Sequence, residues 1–212
     1  MKLNEAQESA VTFVSGPCLV LAGAGSGKTR VITNKIAHLV RNCDMPARYI
    51  AAVTFTNKAA REMKERVAQT LGKPEARGLK VSTFHTLGLT IIKAHVKDLG
   101  LKPGFSLFDD KDSLSLLTDL TRETLDGDKD QLSLLQSCIS NWKNDLILPD
   151  ALLKQAQSTG EREFAEAYKR YQDNLKAYNA LDFDDLILLP TLLLKPAKPC
   201  GLSGKTKSAT CW

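Results

Sequence analysis

At 212 residues the chain has room for one large or two small domains. A hydrophobic share of 43% beside 25% charged residues is that of a soluble globular protein with a core, which sets aside fibrous and wholly disordered classes. The net charge of +5 is concentrated at one end: residues 195–212 carry Lys195, Lys198, Lys205 and Lys207 and no acid, so charge alone argues weakly for nucleic acid.

The first predicted element is a helix over residues 4–14 (NEAQESAVTFV), with Ala6, Ala10, Val11 and Val14 on one face and Asn4 as its N-cap. Gly16-Pro17 ends it. Residues 18–22 (CLVLA) read as a buried strand, short and apolar on both faces. A glycine-rich turn follows, and from Lys28 a helix carries Val31, Ile32, Ile36, Leu39 and Val40 until Pro46 breaks the pattern. Residues 49–55 (YIAAVTF) form a second strand, 57–70 a charged amphipathic helix, and 79–84 a third strand after the turn signals at Gly72, Pro74 and Gly78. Strands alternating with helices predict an α/β fold with a parallel sheet.

After His85 the pattern changes to helix-period leucines, Leu114, Leu116, Leu117 and Leu120, then Leu132, Leu134, Leu135 and Ile139, which predict a mainly helical second unit over about residues 86–190. The end (KPAKPCGLSGKTKSATCW) has no periodicity and is expected to be disordered. Cys18, Cys43, Cys138, Cys200 and Cys211 form no Cys-x-x-Cys pair, and the three histidines are scattered, so neither a zinc site nor a disulfide framework is expected. The N-terminal region has no apolar run approaching the ~20 residues of a membrane helix, so a cytoplasmic protein without a membrane partner is expected.

Ala22-Gly-Ala-Gly-Ser-Gly-Lys-Thr29 fits the spacing of a phosphate-binding P-loop, with alanine in the first glycine's place. Gly23, Gly25 and Gly27 let successive N–H groups, with those of Ala24 and Ser26, converge on phosphate oxygens. The helix that starts near Lys28 points its positive end at the same anion. Lys28 supplies a point charge to the β- and γ-phosphates of ATP, and the Thr29 hydroxyl is suited to Mg²⁺. Residues 199–206 echo the pattern, but no strand precedes them and no helix period follows, so the echo is read as chance.

Further segments carry a resemblance. Leu3-Asn4-x-x-Gln7-x-x-Ala10-Val11 resembles the Q-motif of superfamily 1 DNA helicases, and residues 22–30 resemble their motif I. Ala52-Val-Thr-Phe-Thr-Asn-Lys-Ala-Ala-Arg-Glu-Met63 is similar to motif Ia, and Val81-Ser-Thr-Phe-His-Thr-Leu-Gly88 to motif Ib. Leu181-Asp-Phe-Asp-Asp-Leu-Ile187 resembles the stretch that closes the helical insertion. The order is that of the Rep/UvrD group, superfamily 1A, over residues 1 to about 194.

The resemblance implies a partial RecA-like domain 1A over residues 1–85, a helical subdomain 1B over 86–190, and an unrelated tail over 195–212. It implies the N-terminal part of an ATP-dependent 3′-to-5′ DNA helicase acting in DNA replication. Gln7 would meet the adenine edge and Arg30 would pack near the base, while Phe55, Thr56, Asn57, Thr83, Phe84 and His85 would line the path of single-stranded DNA. Each has a plainer reading: Gln7 as an exposed glutamine, Phe55 and Phe84 as core at strand ends, His85 as structural. Trp142 could meet DNA, or belong to the helical core. Protein partners are not legible.

Hydrolysis needs a carboxylate for Mg²⁺ and an acid to orient water, usually after an apolar strand. The family has an Asp-Glu pair there, and that dipeptide occurs nowhere in this sequence. Asp182, Asp184 and Asp185 precede an apolar run, and Asp109-Asp110 follow only a short one. The chain is therefore expected to bind nucleotide and strand without turning over ATP. The alternative is a non-catalytic nucleotide- or strand-binding remnant of a truncated or frameshifted gene, or a decaying gene product with no activity. A small-molecule kinase is disfavoured by motif Ia and by the helical insertion. With the family's later strands absent, the predicted half-sheet of three strands would be only marginally stable.

Overall fold

The computed structural model describes residues 3–122, 124 and 128–195, so the expectations for the tail from residue 196 and for the echo at 199–206 lie outside the described residues. The chain divides into two compact units, one ending at Phe84 and one beginning at His85.

In the first unit, α1 (Glu5–Thr12) starts at a reciprocal cap. The Asn4 side chain accepts from the Gln7 N–H at 2.9 Å, and Gln7 Oε1 accepts from the Asn4 N–H at 3.1 Å. Helix α2 (Lys28–Arg41) turns Val31, Ile36, Ala37 and Leu39 inward. Helix α3 (Asn57–Leu71) is capped by Thr56, whose hydroxyl accepts from the Ala59 N–H at 3.1 Å. Its buried Ala60, Met63, Val67 and Leu71 recur at the spacing of one helical face. Between the two helices' buried faces and strand β1 (Ala51–Thr54) lies a core that includes Ile36, Leu39, Ile50, Ala52, Met63 and Val67. Strand β2 (Lys80–Thr83) pairs with β1 in parallel, from Ala51 opposite Lys80 to Thr54 opposite Thr83.

The predicted first strand differs. Residues 18–22 form no ladder, and Leu19 and Leu21 stand 85% and 87% exposed. A segment apolar on both faces suits the interior of a parallel sheet, where strands flank it and helices cover it. Here β1 and β2 bond each other, and no described strand lies alongside residues 18–22, so the sheet has two strands where three were expected.

The second unit is mainly helical. Helix α4 (Phe84–Ala94) runs across the division, so Phe84 opens a helix rather than closing a strand. A two-residue strand β3 (Ser106–Leu107) leads to α5 (Asp110–Leu120), α6 (Lys129–Asn144), α7 (Pro149–Gln155) and α8 (Thr159–Ala177). Strand β4 (Ala180–Leu181) pairs with β3 in parallel, and α9 (Asp185–Leu194) follows. Leu117, Leu135, Ile139, Tyr168, Tyr171 and Leu175 make its main core; Ile92, Leu181 and Leu186 make a smaller one.

Candidate nucleotide site and strand-facing surface

The turn between residues 22 and 29 is shaped by two glycines in the left-handed region, Gly25 at φ 75° and Gly27 at φ 84°. Gly27 is also the N-cap of α2, which has no side-chain cap and no acid in its first turn. By contrast α3, α6 and α8, the helices of similar or greater length, each take a side-chain cap from Thr56, Asp128 or Ser158. Among the described residues, the start of α2 therefore has no side-chain cap and an uncompensated positive end, features that draw an anion to a helix terminus.

The loop is closed on itself. Lys28 Nζ donates to the carbonyls of Ala22 at 2.9 Å and Gly23 at 2.7 Å, and Ser26 Oγ donates to the Gly23 carbonyl at 2.7 Å. Residues 22–26 and Lys28 are exposed, whereas Gly27, Thr29 and Arg30 are half-buried. Gln7 Nε2 donates to the Ser26 carbonyl at 3.0 Å, and a Cβ on Gly27 would stand 3.2 Å from that nitrogen. Both ends of the Gln7 amide are thus engaged, one capping α1 and the other bracing the loop.

The residues considered for a strand path behave differently from one another. Phe55 stands 92% exposed and Phe84 45%, with ring centroids 5.9 Å apart and planes tilted by 52°, so Phe55 is no core residue. Thr56 and Asn57 are exposed at the start of α3. Thr83 is buried at the end of the ladder. His85, exposed in the second unit, meets the ring of Phe183 edge-on at 6.3 Å.

The acids noted as replacements for a Mg²⁺ ligand have other partners. Asp109 caps α5 by accepting from the Lys111 and Asp112 N–H groups, bonds that hold its carboxyl below the usual range. Asp182 and Asp185 are buried with Lys143, whose Nζ donates to them at 2.6 and 2.9 Å, and Tyr171 donates its hydroxyl to Asp182 at 3.0 Å. Burial pushes Asp185 up to about 6 against the pull of the Lys143 charge, and raises the Tyr168 and Tyr171 hydroxyls further out of range. Asp184, raised by burial and lowered in part by Ser140, lines a cavity of about 430 Å³ with Asp110, Ser113, Gln136 and Asn141. Trp142 stacks on Tyr168 at 5.8 Å and is half-buried against the core.

The buried ion cluster was not anticipated. Its signal in the sequence is slight: two acids three residues apart at 182 and 185, and a lysine on the apolar side of α6 beside Ile139 and Trp142. Among the described residues of the first unit, no carboxylate directly follows β1 or β2. No group of three or more His, Cys, Asp or Glu among the described residues is placed to hold a metal ion. No described helix is long and apolar enough to cross a membrane.

Comparison with known proteins agrees with the order of motifs. The sequence model of the UvrD/REP helicase N-terminal domain matches residues 3–207. ATP-dependent DNA helicase Rep of Escherichia coli (strain K12) is 65% identical over 195 residues, which cover 92% of this chain and 29% of that protein. The Rep helicase of Salmonella typhimurium is 64% identical over the same length. ATP-dependent DNA helicase PcrA of Leuconostoc citreum is 41% identical over 196 residues, 26% of its length. The chain thus spans between a quarter and a third of the relatives it matches, and the match lies at their N-terminal part. With its motif order and this match over nearly its whole length, the chain belongs to the UvrD/REP helicase N-terminal domain family.

Proposed function

We propose that the first unit is a nucleotide-binding module, the N-terminal part of a RecA-like domain 1A, which takes ATP through residues 22–30 and offers Phe55, Thr56, Asn57 and Phe84 to single-stranded DNA. The observation that carries this reading is the start of α2: an uncapped helix end behind two left-handed glycines, with Lys28 as the adjoining cation. On binding, Lys28 would exchange two neutral carbonyls for charged phosphate oxygens, a stronger acceptor for the same ammonium. Thr29, on the first turn of α2, would turn its hydroxyl to Mg²⁺, which would neutralise phosphate charge there. Arg30 would pack near the base, and Gln7 would hold the loop with one N–H while its second N–H and remaining Oε1 lone pair met adenine. The second unit is the counterpart of subdomain 1B, with His85 at its start on the strand side.

The curated relatives are ATP-dependent DNA helicases, and the whole cycle of such a protein is more than these residues perform. With no carboxylate after β1 or β2 among the described residues, we read the chain as binding nucleotide without hydrolysing it. The test is calorimetric titration of the chain with Mg·ATP, alongside ATP turnover with and without single-stranded DNA. Lys28→Ala is expected to weaken nucleotide binding by about 10- to 100-fold, the worth of one charge-assisted bond. Equal affinity in parent and variant would sink the assignment, and DNA-stimulated turnover would overturn the reading of binding without catalysis.

A further inference from the structure

Lys143 is 1% exposed, and its ammonium reaches two carboxylates that bracket a single exposed aromatic. Asp182 and Asp185 are buried at 6% and 0% exposure, while Phe183 between them stands 44% exposed and Asp184 is half-buried. The two acids also tie the segment's own backbone, since the Asp185 N–H donates to Asp182 Oδ1 at 2.9 Å and the Asp182 N–H donates to Asp185 Oδ2 at 3.3 Å. Tyr171 adds its hydroxyl to Asp182 and lies under the Lys143 ammonium, 5.4 Å from ring centroid to Nζ.

This arrangement fixes Phe183. An ammonium without exposure, set beside Tyr171 and the apolar side of α6, is tolerated only while the Asp182 and Asp185 oxygens continue to accept from it. Any swing of the segment would strand that charge. Phe183 is thereby held with its ring edge-on to His85, planes at 80°. The helix that carries His85 is held from the other side, because Gly88 lies so near the Leu186 carbonyl that a Cβ there would come within 1.8 Å of the oxygen.

We propose that Lys143 is a positioning residue for the strand-facing histidine: through Asp182 and Asp185 it holds Phe183, and Phe183 sets the ring of His85. The positioning half stands on the geometry alone, while its bearing on DNA rests on the strand path proposed above. Lys143 touches no strand itself. It acts from the interior of the second unit, where a lysine would otherwise be a defect.

The experiment follows the His85 ring protons by NMR in the full chain, with His38 and His95 replaced by Gln to isolate the signal, and measures affinity for a fluorescent oligo-dT. Lys143→Met removes the cation, and Phe183→Leu, at a half-exposed position, removes the ring while leaving the ion cluster whole. Both are expected to shift the His85 resonances toward those of a free histidine. Lys143→Met is also expected to weaken oligo-dT binding by roughly 3- to 30-fold, with Mg·ATP affinity unchanged. If Lys143→Met does not fold by circular dichroism, Phe183→Leu still reads the ring contact, and Lys143→Gln paired with Asp185→Asn reads the link to the ion cluster. An unmoved His85 resonance in the folded variants overturns the inference whatever the DNA does. A moved resonance with unaltered oligo-dT binding in His85→Ala overturns the strand path instead, and leaves the positioning half standing.

Discussion

Gly88→Ala tests the packing of the second unit most directly. The added Cβ would lie 1.8 Å from the Leu186 carbonyl oxygen and 3.4 Å from a Pro190 ring carbon, and the obstacle is backbone, which cannot rotate aside. Such contacts do not fall below 3.0 Å, so α4 and the start of α9 must part by about 1.2 Å. That movement opens the cluster of Ile92, Leu181 and Leu186, which are 0%, 3% and 2% exposed. A gap of that size forfeits about half of the dispersion energy across the contact. Overpacking costs roughly 1–3 kcal/mol, and a backbone obstacle puts this site at the upper end; the better helix propensity of alanine returns at most ~1 kcal/mol. The net is about 2 kcal/mol, or roughly 8 °C in the melting temperature of a unit this size. Trp142 fluorescence reports the transition, in a Trp212→Phe background so that one indole is read. Gly160→Ala is the control, since nothing lies within 4 Å of its added carbon and it sits in the first turn of α8. A Gly88→Ala melt within ~2 °C of the parent, or equal to that of Gly160→Ala, would refute the close approach of the two helices.

Phe55→Ala should cost about 5- to 150-fold in oligo-dT affinity, the worth of one base stacked on an aromatic, and should leave the melting temperature unchanged because the ring is 92% exposed; polarisation titration and a thermal melt check both halves. Asp109→Ala should lower the melting temperature by a few degrees through loss of the α5 cap while Mg·ATP affinity stays constant, which separates a cap from a metal ligand. Asp185 is raised by burial to about 6, so between its unfolded value near ~3.9 and that point the folded chain holds the extra proton. Stability should therefore fall as pH rises from about 4 to 6, and stay at the lower level above, with Asp185→Asn flattening the slope in urea titrations at several pH values. Asp109, Asp128 and Glu161, whose values are lowered by backbone N–H bonds, act with the opposite sign in a lower window, losing their contribution as pH falls below about 4. A parent slope unchanged in Asp185→Asn would assign the titration to another group.

Much of the first unit was legible because local rules and tertiary needs coincide there. The Asn4 cap, the α3 face of Met63, Val67 and Leu71, and the parallel pairing of 51–54 with 80–83 all follow from period and cap chemistry. Residues 18–22 form no strand for a physical reason: a run apolar on both faces reports what a segment could bury, whereas a ladder requires a neighbour. The expected third strand over 79–84 ends one residue early, because the chain turns into α4 at Phe84. At the site, the glycines and Lys28 were visible as spacing. The double use of Gln7 was not, because a bond between residues nineteen positions apart leaves no periodic trace. Lys143 was missed for a related reason: a lone lysine on a helix looks solvated until its two carboxylates are brought from 39 and 42 positions away.

The loop over residues 22–29 keeps its form although no described strand pairs with residues 18–22, and its own bonds account for that. In a ladder, the strand entering the turn would fix where the loop begins. Here residues 18–22 have no such fixing, and the loop is instead held by Lys28 on the Ala22 and Gly23 carbonyls, Ser26 on Gly23, and Gln7 on Ser26. Apart from the Ser26 N–H, which reaches the Gly23 carbonyl at 3.4 Å, these bonds use side-chain donors on carbonyl acceptors, so on the proposed reading a phosphate would compete with the resting loop chiefly for Lys28. On the proposed reading Lys28 would be the group to change partner, and in doing so it would release the tie between the loop and residue 22. The Gln7 tie does not involve the ammonium and persists. Helix α1, through one amide, therefore ties to the loop independently of Lys28, and on the proposed reading the reciprocal Asn4–Gln7 cap would anchor the loop while Lys28 changed partner.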